Sequence, residues 1–181
     1  FMVTFWVMNF TIPFITMRLL AEEKRSGTIE LLLTSPVKPF QIVIGKFLAG
    51  WTLIGIGIIG SLVYVLMLLM HASVELGPLV SAYLGLFLYS GALVALGLLA
   101  SALAESQIAA GIISFGASLM LVLLHVVGQS GKDAIHYVLR ELSLVHHLSD
   151  FLGGVLDIKH IVFFLFWGVL CLSFAVKSLE S

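Results

Sequence analysis

His146, His147 and Asp150 bring two imidazoles and a carboxylate close together in the sequence, donor types that suit zinc or copper. Adjacent residues on a helix point about 100° apart, so these histidines do not readily share one ion, and an interfacial anchor or a pathway-lining role suits His147 better. Ser90, Ser101, Ser114 and Ser118 lie in apolar stretches, where a serine meeting a histidine could act as a hydrolytic nucleophile. His71 and His125, the histidines nearest to them, sit at the ends of such stretches. No GxxxxGK[ST] phosphate loop occurs, so ATP would have to be bound elsewhere. The lone Cys171 lies in an apolar run and reads as a small buried hydrophobe. Charge is densest in residues 18–39, where Arg18, Glu22, Glu23, Lys24, Arg25, Glu30 and Lys38 fall together.

These residues are set in a chain of 181 residues that is 60% hydrophobic and 10% charged, against about 25% charged in soluble domains. A formal net charge of -1 leaves no basic surface for nucleic acid. The apolar blocks are near the roughly 20 residues that cross a bilayer and lack the alternation of barrel strands, which predicts an all-α polytopic transmembrane bundle forming a single domain. The expected spans are residues 1–17, 47–70, 79–103, 108–127 and 161–176. Pro13 predicts a kink in the first of these. Lys46, just before the second, is expected to snorkel to the headgroups. Ser106 or Glu105 is expected to start the fourth. Arg18, Lys24, Arg25, Lys38, Lys46 and Lys177 gather on one side, which places residues 18–39 and the C-terminus in the cytoplasm. Phe1, rather than Met, opens the sequence inside an apolar run, so a preceding segment of the natural chain is expected.

The loop 18–39 reads as two short helices broken at Gly27. Glycine suits a left-handed helix C-cap, Lys24 and Arg25 favour the last turn before it, and Thr28 can cap a new helix with Glu30 near its N-terminus. That second piece is too short to be stable alone, so Ile29, Leu31, Leu32 and Leu33 need a covering surface, either lipid headgroups or a partner protein. In the polar segment 128–160, Ile135, Val138, Leu139, Leu142 and Val145 share one face of a single amphipathic helix over residues 134–148, while His136, Arg140, Glu141, Ser143 and His147 lie off it. The apolar stretch 151–156 is too short to span, and Asp157 can cap the last helix. Gly57 and Ser61, Gly97 and Ser101, and Ala110, Ser114 and Ser118 recur at a spacing that lets helices approach closely.

Residues 22–37, EEKRSGTIELLLTSPV, followed by IVIGKF at 42–47, closely resemble the loop after the second transmembrane helix of ABC-2 type transporter permeases, most of all those associated with gliding motility. Residues 142–157, LSLVHHLSDFLGGVLD, resemble the segment before the last helix of the same family. The resemblance covers the whole chain in order and spacing. It implies six spans, of which five are present and the first would precede Phe1. It also implies a prokaryotic inner-membrane permease that works with a second permease subunit. A cytoplasmic coupling helix would be seated in a separate ATP-binding subunit, which would hold the ATP and Mg, so that no cofactor is bound by this chain. Carried over by position, Glu22, Glu23, Lys24 and Arg25 would extend the first span towards that subunit as a rigid lever. Gly27, Thr28, Ile29, Glu30, Leu31 and Leu32 would form the docking helix. His147, Asp150, Phe151, Gly153, Gly154 and Asp157 would belong to a segment that dips into the outer leaflet and closes the exit.

Two readings of other classes stay open at the level of sequence: a membrane anchor that recruits a cytoplasmic partner, and an intramembrane hydrolase. The absence of ionisable groups deep in the spans favours a large or amphipathic cargo over a small ion.

Overall fold

The computed structural model describes residues 1–28, 38–71, 75–131 and 133–180, and among these it is built from helices alone. In chain order they are α1 (Met2–Thr16), α2 (Ala21–Arg25), α3 (Pro39–His71), α4 (Leu76–Leu103), α5 (Gln107–Gln129), α6 (Ala134–Leu142), α7 (Leu144–Leu152) and α8 (Ile158–Glu180). Among the described residues, five stretches are long and apolar enough to cross a membrane: Met2–Arg25, Pro39–His71, Leu76–Leu103, Gln107–Gln129 and Ile158–Leu179. The expected spans fall on these stretches, except that Phe1 precedes the first. The chain is therefore a multi-pass membrane protein.

The bundle is organised around α4. Its most apolar 18-residue window is 72% buried, whereas that of α3 is 11% buried. Composition explains the difference. Along α4, Ser81, Ala82, Gly85, Ser90, Gly91, Ala95, Gly97 and Ser101 let neighbours pack against the backbone on every side. Leu53, Ile56, Ile59 and Val63 of α3, and Leu165, Phe166 and Val169 of α8, are instead exposed, as suits residues solvated by lipid. Phe5, Met8, Ile12, Leu86, Tyr89, Leu93, Leu148, Phe151 and Phe164 form the main core.

Helix starts follow the local chemistry. Pro39 opens α3, where its missing N–H costs nothing, and the Lys38 N–H donates to Gln41 Oε1 at 3.1 Å. Ser106 caps α5 by accepting the Ala109 N–H at 3.2 Å. Lys46 lies inside α3 and forms an ion pair with Glu23.

The single helix expected over residues 134–148 is two helices. Ser143 leaves the helical conformation at ψ 119° and caps α7, its Oγ accepting the His146 N–H at 3.4 Å. This break re-aims everything after it. Ile135, Val138 and Leu142 on α6 stay exposed, while His147, expected off the apolar face, is 1% exposed on α7.

Candidate functional site

The first span does not run unbroken into residues 21–25. α1 ends at Thr16, whose Oγ1 donates to the Ile12 carbonyl at 2.9 Å, and four residues of turn intervene before α2. Ser101 of α4 holds this break. Its Oγ accepts the Leu20 N–H at 3.0 Å and the Ala21 N–H at 2.9 Å, and donates to the Met17 carbonyl at 3.2 Å. One hydroxyl thus satisfies backbone groups that a continuous helix would have paired internally. Gly97, one turn earlier, makes room: a Cβ there would meet Thr16 Oγ1 at 2.1 Å. The Gly97 and Ser101 spacing is a close-approach site, and it seats the break between α1 and α2.

α2 is fastened at two further points. Lys24 Nζ donates to the Ala102 carbonyl, and Glu23 pairs with Lys46. The proposed docking residues therefore separate into two groups. Glu23 and Lys24 are half-buried and engaged within the chain, whereas Glu22, Arg25, Gly27 and Thr28 are exposed. Gly27 has φ +71°, the left-handed conformation expected of a helix-ending glycine. Ile29, Glu30, Leu31 and Leu32 lie outside the described residues. The C-terminal turn of α8 reaches the same end, since Ala175 and Leu179 pack with Leu20, Val43 and Leu98.

The other end of α4, about 30 Å away over 20 residues of helix, carries the second group. Ser81 Oγ donates to the Phe151 carbonyl at 2.9 Å, and the Phe151 side chain sits on Gly85, where a Cβ would lie 2.4 Å from Phe151 Cβ. His147 lies against Phe163 in a tilted arrangement with ring centroids 3.9 Å apart. His147, Asp150 and Phe151 thus converge on the α4–α8 face. Gly153 and Gly154 form the turn that follows, with Gly154 at φ +84° against Pro78, and Asp157 Oδ1 accepts the Lys159 N–H at 2.9 Å to start α8. Across the top, Glu141 and Lys159 pair at 2.7 Å. That hydrogen bond holds the Glu141 carboxyl below its ordinary range, while burial pulls both His146 and His147 below the ordinary histidine value.

Two polar contacts had no sequence signal. His160 meets His147 only through the folding of α7 against α8. In mid-bundle, Tyr89 OH donates to Asn9 Oδ1 at 3.1 Å, and Asn9 Nδ2 donates back to the Phe5 carbonyl at 2.9 Å. Span serines of hydrolytic interest are committed to the backbone: Ser90, Ser101 and Ser118 each donate to a carbonyl oxygen. Among the described residues, no group of histidine, cysteine, aspartate and glutamate side chains is arranged to hold a metal ion.

A family model described as an ABC-2 family transporter protein matches residues 1–146. No curated protein and no solved structure matches the chain.

Proposed function

The chain belongs to the ABC-2 transporter family and is a membrane permease component of an ABC transporter; from that premise we propose that its α2 end docks a separate ATP-binding subunit whose hydrolysis of ATP drives translocation. One observation carries this reading. Glu22 and Arg25 stand exposed on a short helix, with exposed Gly27 and Thr28 just beyond its end, and the other side of that helix is bonded to Ser101, Ala102 and Lys46, so a push on α2 reaches the central helix directly. The sequence that follows, Ile29, Glu30, Leu31 and Leu32, adds three apolar residues and one carboxylate to the surface offered to the partner. ATP and Mg belong to the partner, and the chain needs no cofactor of its own.

In this reading the α2 end and the C-terminus are cytoplasmic in a prokaryotic inner membrane, which agrees with the lysines and arginines gathered there. A second permease subunit completes the pathway, and the segment carrying His147, Asp150, Phe151, Gly153, Gly154 and Asp157 covers the far end. A cleft of about 390 Å³ between α1 and α3, lined by Val3, Val7, Met8, Leu53 and Ile58 with the hydroxyls of Thr11 and Ser61, favours an amphipathic cargo over a small ion.

Copurification of the full-length permease with the ATP-binding protein encoded beside it, followed by ATPase assays, tests the reading. Wild type should bind and stimulate, while Arg25→Glu and Glu30→Arg should lose both by tenfold or so, as expected for about 1.4 kcal/mol of lost contact. A wild-type permease that neither binds nor stimulates that protein would overturn the docking assignment and favour an anchor.

A further inference from the structure

At the end opposite α2, α7 and α8 are joined by a hydrogen-bonded chain that docking and coupling do not use. His147 places Nε2 2.9 Å from the Glu141 carbonyl oxygen and Nδ1 2.5 Å from Nδ1 of His160. Nε2 of His160 lies 3.2 Å from Asp150 Oδ2. Both rings are buried, at 1% and 6% exposure, so water does not substitute for these partners.

The protons of this chain can be counted. A carbonyl oxygen only accepts, so His147 Nε2 carries a hydrogen. One hydrogen lies between the Nδ1 atoms and another between His160 Nε2 and the carboxylate. Neutral imidazoles bring one hydrogen each, so the three bonds require one added proton, which cancels the carboxylate charge. A second added proton would turn both Nδ1 atoms into donors, and two N–H groups cannot face each other at 2.5 Å.

We propose that Asp150, His160 and His147 form a one-proton site that clasps α7 to α8, and that uptake of a second proton opens the clasp and loosens α7 from the last span.

The groups around it fix the direction. From α5, His125 faces His146 with ring centroids 6.5 Å apart. From α6, Arg140 Nε donates to His146 Nε2 at 3.2 Å, which makes that nitrogen an acceptor and leaves His146 neutral. His146 is 3.9 Å from Asp150 on α7 itself, and Glu141 of α6 is engaged by Lys159 of α8, with Asp157 just before that helix. α4 has no charged residue and meets α7 through Ser81. Burial holds His147 below its ordinary value, so the clasped state resists the extra proton at neutral pH. Its stability falls as pH drops below the ordinary histidine value of about 6.5, because the unlinked histidines then take up protons that the clasp excludes. The inference rests on this geometry and not on the docking of an ATP-binding subunit.

Hydrogen exchange of the full chain in lipid nanodiscs between pH 4.5 and 8, corrected for the intrinsic pH dependence of exchange, reads the clasp. Protection of the α7 amides should fall about fivefold to tenfold between pH 7 and pH 5, the scale of one lost hydrogen bond. In His160→Gln that fall should vanish, and in His125→Gln it should persist. Unchanged wild-type protection, or an acid loss that persists in His160→Gln, would overturn the proposal. If His160→Gln fails to fold, ¹⁵N-histidine spectra of the wild type decide. A single hydrogen shared by the two Nδ1 atoms at pH 7 and lost at pH 5 supports the clasp, and independent titration of the two rings refutes it.

Discussion

Ser101 shows how a single hydroxyl can set the direction of a helix. Its oxygen uses both acceptor positions and its hydrogen on the backbone of residues 17–21, so the turn between α1 and α2 leaves those groups paired. In Ser101→Ala the Leu20 and Ala21 N–H groups lose their acceptor. Each orphaned buried donor costs about 1–3 kcal/mol in soluble proteins, but side-chain hydrogen bonds in membranes average nearer 0.6 kcal/mol because the chain finds other partners. The membrane value governs here, since continuing the helix through the turn would return the two donors to the Thr16 and Met17 carbonyls. Ser101→Ala should therefore lower stability by about 1 kcal/mol in reversible denaturation in detergent, and weaken stimulation of the ATP-binding subunit more than binding to it. A variant with full stimulation would remove Ser101 from the coupling route.

Among the elements, α4 decides how closely the others pack, and its glycines are the sensitive points. Gly85→Ala places a methyl 2.4 Å from Phe151 Cβ, a contact that neither the rigid ring nor the helix backbone can absorb without movement. Overpacking of this kind costs about 1–3 kcal/mol, so thermal unfolding should come earlier and α7 should lose protection from exchange at every pH. Gly57→Ala, which meets nothing within 4 Å, should leave both unchanged. The same contrast explains what could be read from sequence. The spans were legible because the length of an apolar run is a local property, and so were the left-handed Gly27 and the caps by Ser106 and Asp157. Of the break after Thr16 only Pro13 was legible, because Ser101, which holds the turn, is about 80 positions away. The inward turn of His147 was not legible, since it depends on Ser143 stopping one helix and starting the next. The half-buried state of Glu23 and Lys24 has the same origin: their partners, Lys46 and the Ala102 carbonyl, are brought to them only by the packing of α3 and α4 against α2.

At the scale of the whole molecule the two polar regions are separated by the length of α4, with the exposed residues proposed for docking at one end and the buried histidine chain at the other. A permease coupled to an ATP-binding subunit needs this separation, since the motor acts on one side of the membrane and the pathway opens on the other. The central claim is that the partner meets the α2 end, and site-specific photocrosslinking tests it most directly. A crosslinking residue at Thr28 and, in a separate variant, at Val155 places the probe on exposed positions at opposite ends. With the full-length permease and its ATP-binding subunit in membranes, the account predicts a crosslinked pair from position 28 and none from position 155. A pair formed from 155, or none from 28 while the two proteins still copurify, would contradict it.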